Sequence, residues 1–388
     1  MSLNDPQGLW AQARALSPAL AQRLVAWQRQ DGRHHLPWQQ TQDPYRVWLS
    51  EIMLQQTQVS TVLGYYARFL AAFPDVAALA AASLDEVLAL WAGLGYYSRA
   101  RNLHRCAQAV VADHGGRFPS TAEALATLPG IGRSTAAAIA GFCFHERTAI
   151  LDGNVKRVLT RVLGWGGDLS VAAHERALWQ AAELVLPEHA EDMPAYTQGL
   201  MDLGATVCTL RKPTCLVCPW SDLCAAREQG QPEAYPVKTR KLKRSRRESW
   251  WLWLEHDAQV WVVQRPATGV WAGLWTLPLF EDESTLRDAA KSLGGMAESA
   301  LEAQPAIEHV LTHLDWRLHP QRLVLGARPS EVVMASLTGE AVGAVAQGAG
   351  RWVPYAALAS TGMPAPLQRL LGSLGPLATQ SSVTTTGA

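Results

Sequence analysis

Charge and long apolar runs are both scarce in this chain of 388 residues. Charged residues make up 18% of it and the formal net charge is zero, which argues against a highly charged disordered protein. No run of about 18 apolar residues occurs, so the sequence predicts no membrane-spanning helix. The first residues lack the basic and apolar segments of a secretory signal. We therefore expect a cytoplasmic protein.

Although the net charge is zero, basic and acidic residues are unevenly distributed along the chain. Residues 1–247 contain 26 basic and 21 acidic residues, whereas residues 248–388 contain 8 and 13. Seven of the basic residues lie between Lys238 and Arg247. The electrostatic indication of a nucleic-acid partner is therefore weak, and motifs have to supply it.

Cysteine is also rare, with six residues, but four of them fall within 17 positions in the spacing C-x6-C-x2-C-x5-C. They are Cys208, Cys215, Cys218 and Cys224. In a reducing compartment, clustered cysteines are more often metal ligands than disulfides. Only one C-x2-C pair is present and the outer spacings are unequal, which favours one 4Fe–4S cluster. Zinc and free thiols remain alternatives.

Local signals predict an almost wholly helical first part. Helix starts are predicted at three sequences: Asp43-Pro44, Ser83-x-x-Glu86 and Ser120-x-x-Glu123. The first of these helices should run through Glu51 to about Ser60. Two further helices are expected, from Arg133 to about Phe144 and from just after Asp152-Gly153 to Gly164.

The sequence pattern changes near residue 249. The segments 250–254 and 260–263 are rich in tryptophan and valine, and they predict a β-hairpin around residues 256–258. We predict a helical region over 1–234, a basic linker over 235–248, an α+β domain over 249–373 and a disordered tail over 374–388.

A turn with the sequence Leu-Pro-Gly-Ile-Gly occupies residues 128–132, before one of these helices. Gly130 and Gly132 would let the backbone approach a phosphate closely, and the start of the following helix would supply unpaired amides. This pattern is typical of a helix-hairpin-helix element, which positions DNA without reading its sequence. A plain helix–helix turn is the alternative.

Two carboxylates have contrasting settings. Asp152 stands just before a helix, where it can serve as an ordinary N-cap, and where the helix end favours its ionised form. Glu51 has mostly apolar neighbours one turn away, so an inward-facing position would raise its pKa, whereas a solvated position would not. One neutral acid beside one anionic carboxylate suits cleavage of a glycosidic bond through a cationic sugar.

Together these residues resemble the MutY-type adenine DNA glycosylases of the helix-hairpin-helix, iron–sulfur superfamily. The strings that carry the resemblance are Leu36-Pro37-Trp38, Ser50-Glu51-Ile52-Met53-Leu54-Gln55-Gln56-Thr57, Gly93-Leu94-Gly95-Tyr96-Tyr97-Ser98-Arg99, Leu128-Pro129-Gly130-Ile131-Gly132-Arg133-Ser134-Thr135 and Leu151-Asp152-Gly153-Asn154-Val155-Lys156-Arg157. The resemblance implies a six-helix domain over about 33–148 and a cluster domain formed by 1–32 and 149–234, with the cluster loop at 208–224.

The resemblance also implies a function and roles for individual residues. A monomeric enzyme would flip adenine paired with 8-oxoguanine out of double-stranded DNA and remove it. Glu51 would protonate adenine, Asp152 would stabilise the sugar cation, and Asn154 would hold the water or sugar. DNA contacts would come from Gln55, Gln56, Thr57, Tyr96, Gly130, Gly132, Ser134 and Arg157.

Ser134 occupies the position where strand-cleaving relatives carry a lysine. Because an alcohol cannot form an imine, we predict base removal without efficient lyase activity. The alternatives are a glycosylase–lyase for oxidised pyrimidines and a catalytically silent DNA-binding or redox-sensing iron–sulfur protein.

Two strings in the C-terminal part are Gly269-Val270-Trp271-Ala272-Gly273-Leu274-Trp275-Thr276-Leu277-Pro278 and His309-Val310-Leu311-Thr312-His313. They resemble parts of the NUDIX-like 8-oxoguanine recognition domain of the same family. This resemblance would place Thr312 and His313 near the lesion, although Leu311-Thr312 replaces the usual Phe-Ser. Acidic residues between Glu281 and Gly294 are scattered rather than clustered, so we predict lesion binding and not phosphohydrolysis.

Overall fold

The computed structural model describes residues 5–239, 243–293, 299–337 and 350–374. The chain divides into two compact units. The first comprises residues 1–80 and 105–241, and the second comprises residues 81–104 and 242–388. The predicted tail lies outside the described residues apart from Leu374, as does part of the predicted linker.

Fifteen α-helices occur within the described ranges. They are α1 (Pro6–Asp31), α2 (Pro44–Leu54), α3 (Val59–Ala72), α4 (Val76–Ala81), α5 (Leu84–Trp91), α6 (Ser98–His114), α7 (Ala122–Leu125), α8 (Arg133–Phe144), α9 (Gly153–Val162), α10 (Ala172–Leu184), α11 (Met193–Asp202), α12 (Ala225–Glu228), α13 (Glu283–Lys291), α14 (Glu331–Ser336) and α15 (Ala365–Leu374). A π-helical turn, Leu203–Val207, precedes the first clustered cysteine. None of the described helices combines the length and apolar character needed to cross a bilayer.

The predicted helix starts are confirmed at two of three positions. Asp43 caps α2 through a hydrogen bond from the Tyr45 amide, and Ser83 and Glu86 form the predicted capping box of α5. The prediction for Ser120 is wrong, because Thr121 is the residue that caps α7 by accepting a hydrogen bond from the Ala124 amide.

The predicted length of α2 is also wrong. The helix ends at Leu54 rather than near Ser60, because Gln55 leaves the helical region and Gln56 adopts a left-handed φ of 57°. This break separates α2 from α3 and places two polar side chains in a turn directly after Glu51's helix. The predicted limits of α8 agree with the structure, whereas α9 begins one residue earlier than predicted, at Gly153, and ends at Val162 before Gly164.

The core of the first unit forms where α1 packs against α10 and α11. Leu20 and Leu24 of α1 are fully buried there, together with Leu178 of α10. The Trp220 indole nitrogen donates a hydrogen bond to the Leu20 carbonyl, so the cysteine-rich loop is attached to α1. Burial of these apolar side chains is the main source of the unit's stability.

The second unit contains an eight-stranded mixed sheet. Its strands are β1 (Ser245–His256), β2 (Gln259–Gln264), β3 (Trp275–Thr276), β4 (Leu279–Phe280), β5 (Glu302–Ala303), β6 (Ile307–Val310), β7 (Leu314–Val324) and β8 (Arg351–Pro354). The strand order is β3-β2-β1-β7-β5, and β4, β6 and β8 pair with β1, β7 and β2 respectively. Strands β1 and β7 run parallel from the pair Ser245–Leu314 to the pair Glu255–Val324.

The predicted hairpin is confirmed. Strands β1 and β2 are antiparallel, and the two turn residues Asp257 and Ala258 have positive φ angles of 46° and 54°. Positive φ at both positions is the mark of a type I′ turn, whose twist matches that of the strands. However, β1 begins at Ser245, inside the segment predicted as linker, because its exposed first residues pair through their backbone with β7.

Candidate functional site

A cavity of about 320 Å³ in the first unit has Glu51 in its wall. Helix α2 presents Glu51 there because Val47 and Trp48, one turn earlier, are buried in the core. Trp38 and Gln198 also line the cavity. The volume lies at the lower end of the roughly 300–1,000 Å³ typical of small-molecule sites. The cavity therefore suits a single flat group such as a nucleobase.

The setting of the Glu51 carboxyl favours its protonated form at neutral pH. Its burial raises its pKa to about 8, and the negative charge of Asp152 adds to the effect. The direction of this shift agrees with the expectation from the apolar neighbours on α2. A neutral carboxyl group beside a cavity can donate a proton to a bound base.

Asp152 is the N-cap of α9, as predicted. One of its carboxylate oxygens accepts a hydrogen bond from the Val155 amide at 2.7 Å. The expectation of a lowered pKa is wrong, because burial raises the pKa of Asp152 more than its amide hydrogen bonds and the charges of Arg157 and Lys156 lower it. Because the charge of Asp152 raises the pKa of Glu51, the two predicted catalytic carboxyls interact electrostatically.

Ser134 lies in the first turn of α8, behind the Asp152 loop. Its hydroxyl oxygen accepts a hydrogen bond from the Leu151 amide at 3.0 Å. The neighbouring Thr135 hydroxyl accepts a hydrogen bond from the Gln55 amide group at 3.4 Å. The predicted helix-hairpin-helix turn is thus joined both to the residue before Asp152 and to the turn after α2.

The glycines of this turn have the geometry expected of them. Gly130 has a φ of 78°, which disfavours any other residue, and Gly132 is the N-cap of α8. A Cβ atom at Gly132 would meet nothing within 4 Å, so its surroundings are open. An open, side-chain-free helix start is suited to close approach of a phosphate group.

Arg157 has internal partners, which the sequence did not predict. Its guanidinium donates to the Asn154 side-chain oxygen at 2.9 Å, to the Gly204 carbonyl at 2.7 Å and to the Cys208 carbonyl at 2.8 Å. A Cβ atom at Gly204 would lie 2.7 Å from the Asn154 Cβ, so this glycine permits the approach. In this arrangement Arg157 orients Asn154; its predicted contact with DNA stays a prediction.

The four clustered cysteines line one small cavity. Arg161, which is 1% exposed, donates to the Cys208 sulfur at 3.3 Å and to the Thr209 carbonyl at 2.7 Å. This buried arginine was missed by the sequence analysis, because its partners lie about 48 residues away. Among the described residues, no three His, Cys, Asp or Glu side chains converge on a single metal ion. A 4Fe–4S cluster does not require such convergence, because each cysteine binds a different iron atom.

The chemistry of the cysteine cavity fits a thiolate-bound group. Burial raises the pKa of Cys218 to about 12, and the other three cysteines contribute to the rise. Burial also raises the pKa of Cys224. Four thiols so close that they disfavour one another's ionisation need a cationic partner to become ligands. The iron atoms of a 4Fe–4S cluster would supply that partner.

In the second unit, Tyr96 and Thr312 are brought together. Their hydroxyl groups share a hydrogen bond, and both residues line a cavity of about 600 Å³ with His313. Trp271 and His309 also line it, and Trp271 has a strained φ of 59°. His309 begins the string His309-Val310-Leu311-Thr312-His313 that resembles the NUDIX-like domain, but the sequence predicts no role for it, since no local pattern marks a strand residue that faces a cavity.

The predicted DNA-contact residues divide between the two units. Gln55, Gln56 and Thr57 form the turn after α2 in the first unit, where Thr57 donates a hydrogen bond to the Gln55 carbonyl. Tyr96 belongs to the second unit, is 43% exposed and has a left-handed φ of 47°. Non-glycine residues with positive φ are uncommon and cluster at functional sites.

Comparison with known proteins identifies both parts of the chain. A family model of HhH-GPD superfamily base excision DNA repair proteins matches residues 49–183, and a NUDIX domain model matches residues 249–373. These matches confirm the predicted combination of a helical glycosylase region with a C-terminal NUDIX-like domain.

Three named relatives are all adenine DNA glycosylases. The protein of Buchnera aphidicola subsp. Acyrthosiphon pisum is 38% identical over 68% of this chain and 75% of its own length. The Homo sapiens protein is 35% identical over 75% of this chain and 64% of its own length. The Mycobacterium tuberculosis protein is 40% identical over 54% of this chain and 68% of its own length. With identities and coverage of this extent, the chain belongs to the adenine DNA glycosylase family.

Proposed function

We propose that this protein hydrolyses the N-glycosidic bond of adenine paired with 8-oxoguanine, or with guanine, in double-stranded DNA. The observation that carries the proposal is the protonated Glu51 carboxyl in the wall of a cavity of nucleobase size, electrostatically coupled to Asp152. General acid catalysis of this kind contributes typically about 10²–10⁴-fold to a rate.

Each residue of the site has a separate task in this proposal. Adenine, flipped out of the duplex, enters the Glu51 cavity, and Glu51 donates its proton to N7 of the base. The leaving base thereby becomes neutral as the bond to C1′ breaks. Asp152 stabilises the cation that develops on the sugar, and Asn154, held by Arg157, positions the attacking water.

DNA is held by backbone contacts at the Pro-Gly-Ile-Gly turn, through Gly130, Gly132 and the first residues of α8 around Ser134. Gln56 and Tyr96 enter the base stack and fill the space that the flipped adenine leaves. Gln55 and Thr57 support the turn after α2 that carries Gln56. Thr312 and His313 contact the 8-oxoguanine. The enzyme acts as a cytoplasmic monomer, with a glycosylase region over residues 1–234 and a NUDIX-like domain that begins with β1 at Ser245 rather than at residue 249.

Ser134 makes the enzyme monofunctional in this proposal. A lysine at this position could attack C1′ and form the imine that leads to strand cleavage, whereas a hydroxyl group cannot. The Ser134 oxygen is already engaged with the Leu151 amide. Its task is therefore to shape the Asp152 loop rather than to react with the sugar.

The four cysteines hold one 4Fe–4S cluster. Cys208 follows the π-helical turn and Cys224 precedes α12, so a bound cluster would fix a loop of 17 residues between two helical segments. When bound, the group supplies a covalent cross-link among these segments. Catalytic steps are assigned to protein residues alone.

The test is a single-turnover assay on duplexes with one adenine opposite 8-oxoguanine or opposite guanine, with and without hot alkali before electrophoresis. We expect cleavage only after alkali, and faster product formation on the 8-oxoguanine duplex. Strand cleavage without alkali would contradict the monofunctional assignment. An intact strand in every lane would contradict the proposed activity and favour a silent DNA-binding protein.

A further inference from the structure

The segment 81–104 has an unexpected place in the structure. It lies within residues 49–183, which match the base excision repair family, yet its contacts group it with the C-terminal residues 242–388. It carries Tyr96, whose hydroxyl is hydrogen-bonded to that of Thr312. The contacts that fix this segment therefore decide where Tyr96 lies relative to Thr312.

Asp85, in the first turn of α5, contacts two residues of the C-terminal part through its carboxylate. Both of its carboxylate oxygens lie 3.1 Å from the Trp275 indole nitrogen, which donates to them. The Arg351 guanidinium donates to one of them at 3.0 Å and lies 4.0 Å from the centre of the Trp275 ring. Trp275 is almost fully buried, so its N–H group has little access to water as a substitute partner.

A second close contact holds the same helix independently. A Cβ atom at Gly362 would lie 2.8 Å from the Leu88 Cβ of α5. The Gly362 carbonyl also accepts a hydrogen bond from the Trp275 amide at 2.9 Å. Only glycine permits this approach, since contacts shorter than 3.0 Å force the neighbouring atoms to move.

The position of α5 is transmitted to Tyr96 through Trp91, the last residue of the helix. The Trp91 indole nitrogen donates to the Gly95 carbonyl at 3.0 Å, directly before Tyr96. The buried Arg99 guanidinium donates to the Leu94 carbonyl at 3.1 Å and lies 5.5 Å from the centre of the Tyr96 ring. A displacement of α5 therefore moves the turn that presents Tyr96.

We propose that Asp85 is a positioning residue for lesion recognition, holding α5 against Trp275 and Arg351 so that Tyr96 stays beside Thr312. This inference rests on the proposed function, in which Tyr96 and Thr312 face the 8-oxoguanine pair. Asp85 is not among the residues that line the Glu51 cavity, and it has no assigned DNA contact in the proposed function. Loss of the Asp85 carboxylate would therefore weaken the discrimination between 8-oxoguanine and guanine opposite adenine.

The test measures the ratio of single-turnover adenine-release rates, below saturation, on duplexes with 8-oxoguanine and with guanine. This ratio does not depend on the fraction of folded enzyme. Asp85→Ala is expected to lower it about 3- to 10-fold, the range that one net hydrogen bond supplies. Asp85→Asn keeps a carbonyl acceptor for Trp275 and is expected to retain most of the ratio.

Gly362→Ala provides a second route, because it displaces Leu88 without touching the carboxylate. It is expected to lower the ratio as Asp85→Ala does. The matched controls are Asp288→Asn, on an exposed face of α13, and Gly372→Ala, where a Cβ atom would meet nothing within 4 Å. Both controls are expected to retain the wild-type ratio.

The outcomes separate the two proposals. A wild-type ratio near one, or an unchanged ratio in Tyr96→Ala, would contradict the proposed lesion contact and the positioning role with it. A ratio that falls in Tyr96→Ala but stays at the wild-type value in both Asp85→Ala and Gly362→Ala would overturn the positioning role alone. Hydrogen exchange of residues 84–97 that rises in Asp85→Ala, and not in Asp288→Asn, would support it.

Discussion

The Ser134 hydroxyl accepts a hydrogen bond from the Leu151 amide at 3.0 Å, which joins the first turn of α8 to the loop that presents Asp152. The residue predicted to separate this chain from strand-cleaving enzymes is therefore hydrogen-bonded to the loop of the proposed catalytic carboxylate. Changing it alters both the chemistry available there and the geometry of the loop.

Ser134→Ala is expected to slow adenine release without producing strand cleavage. The substitution leaves a poorly solvated amide unpaired, which typically costs about 1–3 kcal/mol, and the Asp152 loop can shift in response. A single-turnover assay with and without alkali measures both effects. Thr127→Ala removes a comparable but exposed hydrogen bond and serves as the control. An unchanged rate of adenine release in Ser134→Ala would contradict the proposal that Ser134 shapes the Asp152 loop.

The chemical step is expected to require protonated Glu51. Because the pKa of Glu51 is about 8, the single-turnover rate should fall about tenfold per pH unit above that value, and it should fall again at acid pH as Asp152, whose pKa burial raises, loses its charge. Glu51→Gln should abolish release while retaining mismatch binding, whereas the exposed Glu123→Gln should behave as wild type. Release that persists in Glu51→Gln would show that another group is the acid.

The same carboxyl is expected to make stability depend on pH. A carboxyl whose pKa is raised on folding stabilises the native state below its unfolded value of 4.5, and this contribution is lost as the pH rises towards about 8. Glu51→Gln should therefore increase the free energy of unfolding relative to wild type by about 1–3 kcal/mol at pH 8.5. Urea unfolding should show a smaller difference at pH 5, and equal differences at both values would contradict the shift.

Loss of one cluster ligand is expected to remove the iron. Cys218→Ser should give a colourless protein, whereas wild type should be brown and absorb broadly near about 400 nm. Iron analysis and the absorption spectrum measure this directly. Cys143→Ser changes a cysteine outside the cluster cavity and should retain the colour. Stoichiometric zinc in colourless wild-type protein would contradict the cluster assignment.

Asp202 is expected to be a major determinant of stability in the first unit. Its side chain is fully buried and accepts hydrogen bonds from the Arg33 backbone and guanidinium and from the Gln198 amide, at 2.7–2.9 Å. Asp202→Asn leaves the Arg33 charge without its partner and should cost about 3–5 kcal/mol in urea unfolding. The exposed Asp222, paired with Arg23, is the matched control, for which Asp222→Asn should cost at most about 1 kcal/mol.

Local signals were sufficient for those parts of the structure that depend on neighbouring residues. The Asp152 cap, the Ser83–Glu86 capping box and the hairpin turn at Asp257 each depend on residues within about four positions, so the sequence predicts them. The contrasting local settings of Glu51 and Asp152 suggested their pairing, although their positions are about 100 residues apart, and the family motifs then assigned each a role.

The contacts that the sequence did not predict are long-range and polar. Arg157 reaches Gly204, and Asp85 reaches Trp275 across 190 positions. No periodicity records such partners, because each depends on how separate elements pack. The predicted direction of the Asp152 pKa shift was wrong for the same reason. The sequence shows that Asp152 stands at a helix end, which lowers the pKa, but it does not show the burial that raises the pKa by more.

The grouping of residues 81–104 with the C-terminal sheet affects how the protein can be divided experimentally. A fragment cut at the family boundary, residues 249–373, would contain Trp275, Gly362 and Arg351 without the helix that covers them. The exposed indole and the vacated groove would be new apolar surface, of the kind that promotes aggregation. Chimaeras between relatives should therefore exchange this helical segment together with the C-terminal domain, since Tyr96 and Thr312, the two halves of the proposed lesion contact, are encoded some 200 residues apart.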